Sequence, residues 1–364
     1  MSRLSVKIRA WLNRRAGCAE LDDRAPRVRL PPQREVDRLR ADWATIRNER
    51  AADYPDLGLS ASCVPEGELP PVFITARFRS GSTLLWNLFR HTRGVTAYYE
   101  PLHHCLQLPP EQRPPALDPT HDGVSEYWSE YDRIDGLANW YTEPWHCRDL
   151  YLDALDWKPA LAEYIQLLIR SAEGRAVLQF NRVDFRLAWL RRMFPAARLV
   201  HLFRHPRDQW LSALRDPAAV GPHDSREQFA QHDHFFLNLW VDDLVRQFPV
   251  LDWNLVEHPY GMFYLLWKLS YIWGRTYSHI SIAYEKLLAE PASVIGELFE
   301  ALGLPRHSTA QLAELVRQKP VAKWHAYAPA AWFARHESAA ELLLDRFLGP
   351  AQSVAAAAGL RACA

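Results

Sequence analysis

From Pro71 the chain alternates short apolar runs with longer stretches of helical periodicity. Val72, Phe73 and Ile74 are a brief β-branched and aromatic run, which predicts a buried strand. A polar turn over residues 77–82 follows and contains Gly81. Leu84, Leu85, Leu88 and Phe89 then recur at helical spacing, which predicts a helix from Thr83 onward, capped by Ser82 or Thr83. The alternation continues. Strands are expected over residues 95–99, 176–180, 198–203 and 279–284. Helices are expected over 157–171, 185–193, 260–277 and 285–302, the last broken near Pro291 and ended by Gly303. In the 185–193 helix, Trp189 and Leu190 should face inward and Arg191 and Arg192 outward. Strand and helix in turn predict an α/β fold on a mostly parallel sheet.

Other stretches break the pattern. Residues 1–64 form an N-terminal helical or irregular arm. Its Leu4, Ile8, Trp11 and Leu12 share one helical face among Arg3, Lys7, Arg14 and Arg15. Such a face packs on a domain, or gives weak association with a membrane surface. Pro31-Pro32 breaks the chain, and residues 35–51 read as an exposed charged helix. Residues 65–310 form the α/β unit, with insertions near 106–172 and 216–259, and 311–364 a helical C-terminal extension. Five prolines between residues 106 and 122 predict a surface loop. Aromatics crowd the next stretch, from Tyr127 to Trp157, and serve either as core or as an acceptor wall. His146-Cys147 and His232-Asp233-His234 lack further ligands at a metal-site spacing, so no metal is expected.

Composition narrows the class. The chain has 364 residues, is 48% apolar and carries a formal net charge of zero. That is enough for a sizeable core and gives no nucleic-acid signature. The five cysteines are scattered, an odd and sparse set that suits a reducing compartment. No run reaches the length of a membrane span, and no secretory leader is evident. A cytoplasmic protein is expected, and the alanine- and arginine-rich composition suggests a bacterial one.

The candidate chemistry begins in the first turn. A helix start has unpaired N–H groups and the positive end of the helix dipole, so an anion fits there. Gly81 admits a close approach, Ser80, Ser82 and Thr83 offer hydroxyls, and Arg79 a fixed positive charge. The turn is not a standard P-loop, because no lysine follows Gly81. A second strand, turn and helix start at Arg204, with Pro206 in the first turn and Ser212 about two turns on. Glu100 ends the 95–99 strand. In a parallel sheet it shares the carboxyl rim with both turns, where a carboxylate can take a proton from a hydroxyl.

Arg79-Ser80-Gly81-Ser82-Thr83 and Leu199 to Leu214 (LVHLFRHPRDQWLSAL) together resemble the sulfotransferase family that uses 3′-phosphoadenosine 5′-phosphosulfate (PAPS). Phe194-Pro195 and the Tyr284 to Leu288 segment are also similar, and the resemblance spans roughly residues 71–305. Tyr99-Glu100-Pro101-Leu102 looks most like the carbohydrate branch. His205 departs from the family, where an aspartate is common, which puts the turn's local hydrogen bonding in question.

The resemblance implies a P-loop-like three-layer sandwich. It implies donor contacts from Arg79, Ser80, Gly81, Ser82, Thr83, Arg204 and Ser212. It also implies transfer of a sulfuryl group to a small-molecule or glycan hydroxyl without a metal. Arg79 and Glu100 would be catalytic, with His103 the second candidate base. The competing classes are a kinase-like phosphotransferase and a non-catalytic glycan- or anion-binding relative.

Overall fold

The computed structural model describes residues 70–349, apart from 116, 119, 120, 122, 123, 306–308 and 318. The expected N-terminal helices and the alanine-rich tail lie outside the described residues. Five strands form one sheet: β1 (Val72–Ala76), β2 (Val95–Tyr99), β3 (Arg175–Phe180), β4 (Arg198–Phe203) and β5 (Ile280–Ala283). Their spatial order is β2-β3-β1-β4-β5, and every pairing is parallel. β1 and β3 are buried along their whole length, as continuous apolar strands covered on both faces should be.

Helices cover the sheet in two groups. α1 (Ser82–Arg90) packs on β2, where the Trp86 indole N–H donates to Ala97 O at 2.7 Å. α2 (Pro159–Arg170) leads into β3, α3 (Leu187–Met193) into β4, and α4 (Pro206–Leu214) follows β4. The second insertion contains α5 (Leu237–Leu244), and α6 (Pro259–Tyr277) precedes β5. α7 (Tyr284–Ala289) and α8 (Pro291–Leu302) follow, with Pro291 opening α8 and Gly303 closing it in the left-handed conformation. Phe89 of α1 stacks on Phe299 of α8 at 5.6 Å.

α6 is the buried spine of the other group, and almost every residue in it is inaccessible. Gly274 is a packing requirement there, because a Cβ would collide with the His201 imidazole of β4. The C-terminal helix α9 (Ala330–Leu348) lies along α6 and is clamped by polar groups. Tyr260 Oη donates to Glu337 at 2.6 Å, Tyr264 Oη to Glu341 at 2.6 Å, and Lys268 Nζ to Glu341 at 2.7 Å.

Two local expectations change. α1 starts one residue earlier than its periodicity suggests. Its N-cap is Gly81 at φ 93°, without a side-chain cap from Ser82 or Thr83. Arg192 is 4% exposed rather than outward-facing, on a helix that packs against α6. Most of the aromatics between 127 and 157 are core, with Tyr127, Tyr131 and Trp145 almost inaccessible, whereas Trp157 is exposed. Among the described residues, no helix is long and apolar enough to cross a membrane.

Candidate active site

The carboxyl ends of β1, β2, β3 and β4 deliver Arg79, Glu100, Arg182 and Arg204 to a cavity of about 2130 Å³. The loop after β1 is shaped from within. Ser80 is fully buried, and its hydroxyl donates to Arg77 O at 2.7 Å. It tightens the turn and does not line the cavity, unlike Gly81, Ser82 and Thr83. The Arg77 guanidinium is anchored to Asp184 at 3.0 Å. Gly81 is needed twice over: its φ is positive, and a Cβ would run into the Tyr284 ring. The first α1 amides have no partner within the helix, and Ser82, Thr83 and Leu84 at that end line the cavity.

The two sequence motifs meet here. Arg79 Nε donates to Ser212 Oγ and to Ser212 O, each at 3.0 Å. Arg204 Nη1 donates to Arg79 O at 3.2 Å. Arg204 lies over the Tyr284 ring at 5.0 Å, and its Nε is buried without a hydrogen-bond partner. A guanidinium with an orphaned N–H beside a helix N-terminus suits an incoming anion. Burial lowers the Arg79 pKa, which still leaves an arginine cationic. Its backbone sits at φ 66° and that of Glu100 at φ 41°, both in the left-handed region where non-glycine residues cost energy. Strain of this kind collects at functional sites.

Glu100 is 4% exposed and fully engaged at one edge. Asn181 Nδ2 donates to its Oε1 at 2.6 Å, and Arg182 Nη1 is ion-paired with its Oε2. Both partners leave β3, whose register sets Tyr99 opposite Gln179. Arg182 therefore faces a carboxylate, and its Nε is buried without a hydrogen-bond partner. His103 takes a different part from Glu100. Cys105 N–H donates to His103 Nδ1 at 3.1 Å, which assigns the ring proton to Nε2. Burial, with help from His104, holds its pKa well below the usual range. His103 is therefore a neutral ring whose remaining nitrogen donates.

Three further features were beyond sequence reasoning. His103, His104 and His146 form a row, with ring centroids 4.4 Å and 5.5 Å apart. Burial pushes His104 down to about 3 and His146 to about 2. His103, His104 and Cys105 bring ligand-type atoms within 4.8 Å of one another. The Cys105 thiol, however, is pushed up to about 12 by burial and stays protonated. Asp118, from the proline-rich loop, accepts from Arg79 Nη1 at 2.8 Å. His121 completes a chain from Thr83 Oγ1 (3.2 Å) to Tyr127 Oη (2.9 Å).

The His232-Asp233-His234 stretch has a structural use, since Asp233 accepts from Leu237 N and Asn238 N at the start of α5. The His205 backbone N–H donates to Glu285 at 2.9 Å, while its ring Nδ1 is buried without a hydrogen-bond partner. In the C-terminal region Arg317, Lys319 and Lys323 line the cavity, and Asp208 accepts from the Lys323 N–H at 2.9 Å. Arg335 pairs with Glu257, and His325 stacks on Trp324 outside the cavity.

Sheet, loop and crevice define an α/β protein whose parallel strands bring arginines and a buried carboxylate to one cavity. Residues 70–249 match the family model described as the sulfotransferase family, and the chain belongs to that family. It is a sulfotransferase enzyme. No curated protein matches the chain. Similar solved structures include sulfotransferase STF9 from Mycobacterium avium, at 15% identity and TM-score 0.40 over 94% of this chain and 95% of that one. The sulfotransferase domain of the Synechococcus PCC 7002 olefin synthase is 17% identical at TM-score 0.36, over 82% and 97% of the two chains. A sulfotransferase from Alicyclobacillus acidocaldarius is 15% identical at TM-score 0.37, over 75% and 95%.

Proposed function

We propose that the protein moves the sulfuryl group of PAPS to an acceptor hydroxyl by in-line transfer, with Glu100 as the base. The observation that carries this is the meeting of Arg79, Arg204 and Ser212 in one cradle, with Glu100 opening onto the same cavity. The loop after β1 and the first α1 amides would receive the 5′-phosphosulfate. Arg204 and Ser212 would receive the 3′-phosphate, for which a planar guanidinium is geometrically selective. Ser80 would act through the shape of the loop.

Such a transfer runs through a loose transition state, so positioning and charge stabilisation supply most of the catalysis. Arg79 is placed to neutralise charge growing on the bridging oxygen. Arg182 and Asn181 aim Glu100 while leaving it lone pairs for the acceptor proton. His103 Nε2–H would hold the acceptor oxygen as a donor, which favours Glu100 over His103 as base. The Tyr-Glu-Pro-Leu segment supports a carbohydrate or glycoconjugate acceptor. The odd, sparse set of five cysteines agrees with work in the cytoplasm.

The test is calorimetric titration with adenosine 3′,5′-bisphosphate, using adenosine 5′-phosphate and magnesium-ATP as controls. The expected result is binding that needs the 3′-phosphate and is weakened at least about 100-fold in Arg204→Ala, as for loss of a charge-assisted bidentate contact. A preference for magnesium-ATP would replace this function with phosphoryl transfer.

A further inference from the structure

We propose that Asp118 is a specificity-determining residue of the donor site. Its carboxylate holds Arg79 against small anions and yields it only to a ligand that also engages Arg204 and Ser212. The inference rests on the donor function proposed above.

Asp118 Oδ2 accepts from Arg79 Nη1 at 2.8 Å, and Arg215 Nη2 lies 3.9 Å from the same oxygen. The Asp118 side chain is 8% exposed and that of Arg79 12%, so salt screens the pair weakly. The protein thus presents its own carboxylate to the guanidinium that the donor's phosphosulfate would engage. Two anions on one guanidinium repel each other, so donor and Asp118 compete.

The outcome of that competition depends on how many contacts a ligand brings. Inorganic sulfate gains Arg79 and a few loop amides, and in exchange must break a short, mostly buried ion pair. A bisphosphorylated nucleoside adds the orphaned N–H of Arg204 and the Ser212 hydroxyl, which together offset the exchange. Asp118 therefore lowers the affinity for every anion by a similar factor, which leaves simple sulfate too weak to hold the site while a donor with its added contacts still binds. The neighbouring His121 has its own contacts, to Thr83 and Tyr127. Replacing the Asp118 carboxylate leaves those in place.

The experiment compares wild-type protein with Asp118→Asn and Asp118→Glu by calorimetry in a buffer free of sulfate and phosphate. Adenosine 3′,5′-bisphosphate and inorganic sulfate are titrated separately, and thermal unfolding midpoints confirm the fold. Asp118→Asn should bind the bisphosphate about tenfold tighter. Its affinity for sulfate should rise by a similar factor, so that sulfate competes with the bisphosphate at concentrations where it does not in wild type. Asp118→Glu, which keeps the charge, should stay near wild type. If Asp118→Asn does not fold, Asp118→Ala carries the same expectation. Equal or weaker bisphosphate binding in a folded, uncharged variant means that Asp118 merely orients Arg79, and overturns the inference alone. Absence of bisphosphate binding in wild type and variants alike overturns the donor function, and this inference with it.

Discussion

At the scale of single residues the chemistry turns on a carboxylate that water hardly reaches. Burying a charge is costly unless it is paired and hydrogen-bonded, and Glu100 has both kinds of partner. Arg182 and Asn181 occupy one edge of it, and the rest faces the cavity. The expectation is that Glu100→Gln keeps bisphosphate binding near normal and lowers turnover by about two to four decades. Sulfate transfer from radiolabelled donor, measured beside calorimetry, checks both halves. Unimpaired turnover would remove Glu100 as base and reopen the case for His103. Arg79 and Glu100 also share positive φ angles, so the residues assigned to chemistry are the strained ones within their turns.

At the scale of elements, the site is the place where strands stop. β1, β2, β3 and β4 end on one rim, and each contributes one charged side chain just past its last residue. Four separate segments become one site because parallel strands align their ends. The glycine in the loop is the point where this arrangement is tightest. Gly81 lies under the Tyr284 ring that opens α7, and Tyr284 in turn supports Arg204. Gly81→Ala should therefore disturb both halves of the donor cradle. A residue with a Cβ at that φ costs about 1–2 kcal/mol before any clash, and overpacking adds about 1–3 kcal/mol. A lower unfolding midpoint together with at least about tenfold weaker bisphosphate binding is the expected pair of results. A fully stable variant with normal binding would show that the loop tolerates a side chain.

At the scale of the whole molecule, the core holds an unusual load of uncharged imidazole. Burial depresses His104 to about 3, His146 to about 2, His201 to about 3 and His258 to about 4. In the unfolded chain these rings titrate near about 6.5. As pH falls below that value the unfolded state takes up protons that the folded state refuses, so stability is lost with acidification. At pH 5.5 each such ring costs about 1.4 kcal/mol, an upper figure for rings that retain contact with water. The loss begins near 6.5 and levels off at the depressed folded values. Thermal unfolding at pH 7.5 and 5.5, above the range where carboxylates titrate, should show a clear fall in midpoint. His201→Asn should flatten that slope while lowering stability at pH 7.5. An unchanged midpoint across this range would mean that the rings are protonated in the folded protein.

Much was legible before any coordinates. The five strands follow from short β-branched runs, and the break between α7 and α8 follows from Pro291, because such signals are local. The two turns were readable for the same reason, since an arginine beside a helix start, with a glycine in the first of them, is a local signal. Periodicity also placed Glu100 on the rim, given a parallel sheet. What only the tertiary structure decided were contacts between distant segments. Arg182 met Glu100, Ser80 turned inward, and Arg192 was buried. Asp118 came from a proline-rich loop that has no periodicity to place it, and it reached Arg79 nonetheless. The aromatics between 127 and 157 went mostly to the core, because burying their large apolar surface outweighs leaving it for a ligand. Local sequence specifies backbone conformation, which each residue adopts nearly on its own. The pairing of a buried charge is settled by whichever partner the packed chain brings within hydrogen-bond reach, and that is a property of the whole fold.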